Sequence, residues 1–163
     1  MCAKQEPESR SLTDLLPPEA VHLHASAADW RAAVEEAGRL LHESGSTTAA
    51  YTQQMIAAVD RFGPYIVIAP GFALAHAQAS EAVLEPGMSW LSLDEPVSFG
   101  HPQNDPVDLV VGLASTDHDT HLEALRQIAE IVSDPARRAE LSAADDADQL
   151  LHAIDASLGK KDS

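Results

Sequence analysis

The stretch FGPYIVIAPGFALAHA, Phe62 to Ala77, decides how the chain is built. Gly63-Pro64 ends the helix before it, because glycine supplies the left-handed cap and proline cannot continue the helical hydrogen-bond ladder. Tyr65 to Ala69 (YIVIA) is uncharged and rich in β-branched residues, the composition of a strand buried on both faces, and Pro70-Gly71 breaks it. Upstream the period is helical. Trp30, Val34, Ala37, Leu40 and Leu41 recur at helix spacing up to Gly45, with Ser26 as the expected N-cap and Asp29 three positions on. A second helix is expected from Thr48 to Arg61, presenting Tyr51, Met55, Ile56 and Val59 on one face. Further back, Ala20 to His24 alternates like a strand, with His22 and His24 on one face, and Ser11 to Leu16 reads as a short helix stopped at Pro17-Pro18. Downstream, Trp90 to Val97 and Val107 to Ser115 read as strands. Helical spacing returns over His121 to Val132 and from about Ala143 to Leu158, with Asp134-Pro135 between them. Strands framed by helices through short connections imply one α/β domain, a central sheet covered by helices on both faces.

Composition narrows the function. The chain has 163 residues, 45% of them hydrophobic, and a formal net charge of -16 from 26 acidic and 10 basic side chains. Such acidity disfavours nucleic acid and anionic membrane surfaces, both of which need clustered Lys and Arg. Cys2 is the only cysteine, so neither an intramolecular disulfide nor a cysteine metal cluster is available, as suits a reducing, cytoplasmic setting. The opening MCAKQEPESR has no apolar signal run, and no stretch approaches the ~18 apolar residues of a membrane span. Residues 1–10 are expected to be a disordered leader, 11–158 the folded domain, and 159–163 a frayed tail. Aromatics make up only 4%, so the core must be assembled from Leu, Ile, Val and Ala.

The chemistry must come from histidine. There is no defensible Ser-His-Asp order, no glycine-rich phosphate loop, and no HExxH or CxxC pattern, but there are eight histidines. His76 follows the Pro70-Gly71 break among small residues that leave an imidazole accessible in an apolar wall; the alternative is a core histidine satisfied by a backbone carbonyl. His121 follows Asp117, His118, Asp119 and Thr120, and Thr120 with Glu123 spells a capping box that puts His121 in a first helical turn. A helix N-terminus favours the neutral ring and offers N–H groups to an anion. Asp117 and Asp119 are either orienters of His121 or exposed caps. His118 and His121 could form half of a zinc site, but no further ligand is identifiable. His22 with His24 reads as a packed or solvated pair rather than a metal pair, and His42 and His152 as packing or surface residues. Between Arg61 and Arg126 there is no Lys or Arg, so any anion held there depends on imidazoles, backbone amides and helix ends.

Four segments together, YTQQMI (Tyr51 to Ile56), Phe62 to Ala77, EPVSFGHPQNDPVDLVVGLAS (Glu95 to Ser115) and HLEALRQIAEIVSD (His121 to Asp134), resemble the enzyme IIA components of the bacterial sugar phosphotransferase system. The resemblance spans Leu12 to Leu158 and lies in the fructose and mannitol superfamily, nearest the ascorbate type. It implies the mannitol/fructose-type fold with a mixed sheet. It also implies a cytoplasmic phosphocarrier that takes a phosphoryl group from phospho-HPr on His76 and passes it to a cysteine of enzyme IIB, alongside the membrane enzyme IIC, with no cofactor and no metal. Ascorbate or a related acid is the sugar it suggests. His121 matches the family's second histidine, which supports the phosphorylated ring. Two positions depart from the family pattern: Ala75 stands for the proline before the histidine, and Gln78-Ala79 for the Arg-Pro after it, removing a fork donor for phosphate. Thr120, Asp117, Asp119, Gln78 and His101, the last on the FGHPQNDPV loop, are the supporting candidates. Those departures motivate a second reading, a regulatory module that controls another protein through its phosphorylation state; a metal-binding protein using His76, His118 and His121 is a third.

Overall fold

The computed structural model describes residues 15–77, 80–116 and 118–159, with the side chains of 118–122 and 157–159 outside that description. The expected leader, most of the expected Ser11 to Leu16 helix and the end of the expected tail therefore lie outside the described residues. After a 3-10 turn at Pro18–Ala20 come β1 (Val21–Ala25), α1 (Trp30–Glu43), α2 (Ala49–Phe62), β2 (Val67–Ala69), β3 (Phe72–Ala75), β4 (Gly87–Val97), β5 (Val107–Ala114), α3 (His118–Val132), α4 (Pro135–Ser142) and α5 (Ala147–Gly159). The five strands make one sheet in the order β1-β4-β5-β3-β2. It is mixed: β1 runs parallel to β4 and β3 parallel to β5, while β4 with β5 and β2 with β3 are antiparallel.

Side-chain alternation along these strands splits the core into two layers. Ala73, Ala75, Leu91, Val110 and Ala114 face α1 and α2, where they meet Val34, Ala37, Leu41, Tyr51, Met55 and Val59. Phe72, Leu74, Met88, Trp90, Leu109, Val111 and Leu113 face the other way, onto Ala124, Ile128, Leu141, Leu150 and Ile154. Both faces are covered, as the uncharged strands required. Small residues set the closest approaches. Ser89 donates to the Ala37 carbonyl at 2.8 Å, and a Cβ at Gly112 would lie 2.4 Å from that hydroxyl. Gly45, at φ +95°, lets the chain leave α1 through the left-handed region.

Five expectations change. Asp29, not Ser26, caps α1, accepting from the Ala32 N–H at 2.9 Å. YIVIA is not the buried strand: only Val67–Ala69 pairs, at the sheet edge, with Tyr65 and Ile68 exposed, while FALA, Phe72–Ala75, is the strand buried on both faces. An apolar run without periodicity cannot distinguish an edge from a centre. His22 and His24 do not share a face, because β1 carries an extra residue between its His22 and Ala25 pairings and His24 adopts φ 55°; the bulge turns one ring to α1 and the other to the opposite layer. Asp134-Pro135 starts a helix rather than separating two, the carboxylate accepting from the Ala136 and Arg137 N–H groups with proline in the first turn, so α4 precedes a final helix that begins at Ala147. Last, α3 begins at His118, ahead of the expected Thr120 cap, and Glu123 accepts from the Arg126 and Gln127 side chains.

Candidate functional site

The end of the sheet where β3 and β5 stop collects the chemistry. These strands are adjacent and parallel, with Ala75 level with Gly112, so His76 emerges beside the last residues of β5. The chain then crosses Ser115 and Thr116 and enters α3, whose first turn contains His121. Topology alone therefore brings the backbones of the two expected site histidines to one edge, at the carboxyl ends of parallel strands where α/β sheets place their ligands. The side chains of His118, Asp119, Thr120 and His121, and all of Gln78 and Asp117, lie outside the described residues.

His76 is partly buried. Its Nδ1 lies 2.8 Å from the Leu74 carbonyl, which can only accept, so Nδ1 carries the proton and Nε2 carries the lone pair of the neutral ring. The expected core alternative, a histidine satisfied by a backbone carbonyl, is met at Nδ1, which anchors the ring. The Tyr65 and His76 rings pack edge-to-face, centroids 5.4 Å apart at 78°, and the Tyr65 hydroxyl donates to the His76 carbonyl at 3.2 Å. Tyr51, buried on α2, donates its hydroxyl to the Leu113 carbonyl at 2.8 Å and accepts from the Ala77 N–H at 3.0 Å. Burial pushes the Tyr51 phenol up to about 12 and raises that of Tyr65, so both remain protonated donors at neutral pH.

The tyrosines are what sequence reasoning left in the core. The available signal was a hydroxyl on otherwise apolar stretches, since a buried Tyr O–H needs a partner. Two exposed apolar side chains lie at this end of the sheet: Phe62, which packs edge-on to Tyr65 at 6.3 Å, and Leu84, just before β4 begins.

His101 does not join this site. It sits on the β4–β5 loop, beyond the Val97–Val107 pair, at the opposite end of the sheet and roughly 25 Å away by the rise of β5. There its Nδ1 accepts from the Gln103 and Asn104 N–H groups, a turn-stabilising role. The same loop is organised by Asp105: burial pushes its carboxyl up, but bonds from the Phe99 N–H, the Ser98 hydroxyl and the Gly100 and His101 N–H groups outweigh this and hold it low. His22 meets Glu36 at 2.7 Å and His24 meets Asp94 at 3.0 Å, both away from His76. His42 and His152 are exposed on their helices. Among the described residues no group of three or more His, Cys, Asp or Glu side chains is placed to hold a metal, and no helix is long and apolar enough to cross a membrane.

Residues 14–157 match the family model of the phosphoenolpyruvate-dependent sugar phosphotransferase system, EIIA 2. The chain belongs to this family. It is an EIIA protein, a component of a sugar phosphotransferase system. The ascorbate-specific EIIA component of Salmonella choleraesuis is 37% identical over 136 residues, covering 83% of this chain and 88% of that protein. Among solved structures, a PTS IIA protein from Streptococcus mutans superposes with a TM-score of 0.83 at 26% identity, over 92% of this chain and 96% of that one. The mannitol EIIA of Escherichia coli, solved in complex with phosphorylated enzyme IIB, shares the fold at a TM-score of 0.76 and 22% identity, over 87% and 99%. The EIIA fold expected from the resemblance is thus present, mixed sheet included.

Proposed function

We propose that this EIIA accepts a phosphoryl group on His76 Nε2 from phospho-HPr and passes it to a cysteine of enzyme IIB during uptake of ascorbate or a related acid. The observation that carries this reading is the 2.8 Å bond from Nδ1–H to the Leu74 carbonyl, which assigns the nucleophilic lone pair to Nε2. A neutral imidazole is nucleophilic without a separate base. As Nε2 bonds to phosphorus, the phosphorus–nitrogen bond of the donor histidine breaks and its electron pair returns to the donor ring. In the second half the IIB thiolate attacks phosphorus, and the pair returns to Nε2. Charge on the moving group is met by the N-terminus of α3 and by His121 in its first turn, and positioning supplies the rest. Exchange between nitrogen and sulfur nucleophiles of this kind needs no metal. Phe62, Tyr65 and Leu84 offer an apolar rim on which a folded partner can dock.

The test is direct. Incubation with phosphoenolpyruvate, enzyme I and HPr should give an acid-labile phosphohistidine that His76→Ala abolishes. Absence of label on the unaltered protein, or undiminished label on His76→Ala, would overturn the assignment.

A further inference from the structure

His76 sits just past the end of β3, yet phosphoryl transfer demands a fixed direction for Nε2. The geometry points to Tyr65 and Tyr51 as positioning residues that clamp the main chain on the two sides of the phosphoryl-accepting histidine. The inference rests on His76 being that acceptor.

Three contacts define the clamp. The imidazole is tied through Nδ1 to the Leu74 carbonyl, which restricts its rotation. The carbonyl of His76 accepts from the Tyr65 hydroxyl, while the Tyr65 ring packs edge-to-face with the imidazole. The next peptide N–H, that of Ala77, donates to Tyr51, whose own proton goes to the Leu113 carbonyl at the end of β5. Tyr51 therefore bridges Ala77 to Leu113, two residues beyond Ala75 and one beyond Gly112, the last pairing of β3 with β5. The anchors come from different elements: Tyr51 from α2, Tyr65 from the segment entering β2, Leu113 from β5. Both hydroxyls touch only main chain at the site, so neither side chain is required to touch the phosphoryl group. They act through His76.

Removing a hydroxyl while keeping the ring isolates this role. With HPr phosphorylated by labelled phosphoenolpyruvate and enzyme I, rapid-quench transfer to Tyr65→Phe should have a saturating rate about 10-fold below that of the unaltered protein. The HPr concentration giving half the maximal rate should stay within about twofold, because the docking ring is retained. Tyr51→Phe should show the same split. Circular dichroism melting identifies any variant that is not folded, and if Tyr51→Phe is not, half-exposed Tyr65→Phe decides alone. A saturating rate for folded Tyr65→Phe within about twofold of the unaltered protein would overturn the clamp, as would a loss confined to half-saturation. His76→Ala in the same series separates the two levels: label on that variant removes the acceptor assignment, whereas a blank His76→Ala with a fast Tyr65→Phe removes only the clamp.

Discussion

A single residue can carry an ionic latch, and His24 does. Both of its ring nitrogens face acceptors, Nδ1 toward Asp94 at 3.0 Å and Nε2 toward the Ala144 carbonyl at 3.1 Å, with Asp145 at 3.7 Å. The hydrogen bond to Asp94, then that to Ala144, raises its pKa above 6.5. A group whose folded pKa is raised contributes stability fully present below its unfolded pKa and lost as pH climbs through the folded value. Asp94→Asn should therefore lower the melting temperature at about pH 5.5, where His24 is charged, and change it little at about pH 9. An equal loss at both values would show that the contact is not ionic. The charged side chains are exposed, so the effect is modest. Legibility at this scale was uneven. His76 stood out in the sequence because small, uncharged neighbours framed it. The Tyr51 and Tyr65 hydroxyls did not, since their partners, the carbonyls of Leu113 and His76, are fixed only by how α2 and β3 meet.

At the scale of elements, packing overrode the local signals. The two long helices, α1 and α2, were readable because their apolar stripes persist over several turns. FALA was too short to be recognised as a strand by pattern, and its place between β5 and β2 comes from tertiary pairing. The α4 helix is hard to read from the sequence because Asp-Pro spells a break, although a carboxylate cap followed by proline is equally a helix start. One contact between elements makes a sharp test. Gly38 on α1 faces Thr52 on α2 so closely that an added Cβ would lie 2.1 Å from Oγ1 and 2.7 Å from the threonine Cβ. Rotating the hydroxyl relieves only the first clash, so the helices must separate. Gly38→Ala should cost about 1–3 kcal/mol in urea unfolding despite alanine's better helix propensity. A stabilised variant would mean that the two helices do not cross this tightly.

For the whole molecule the governing quantity is the charge of -16. Many of its few cations are already committed to carboxylates: Arg31 to Asp60, Arg39 to Glu36 and Glu43, Arg126 to Glu123, and Arg138 to Asp108. A protein this acidic should recruit a donor with a complementary basic face, so transfer from phospho-HPr should slow as salt is raised from about 0.05 to 0.5 M. A rate insensitive to salt would argue for docking through the apolar rim alone. The two-layered core has a different consequence. A sheet covered on both sides shares its backbone between the layers: Leu113 and Leu74 turn their side chains toward α3 to α5 while their carbonyls hold Tyr51 and His76. A substitution beneath α3 to α5 that shifts either leucine therefore also shifts a carbonyl on which His76 or Tyr51 depends, so neither half of the core can change without being felt at the end of the sheet.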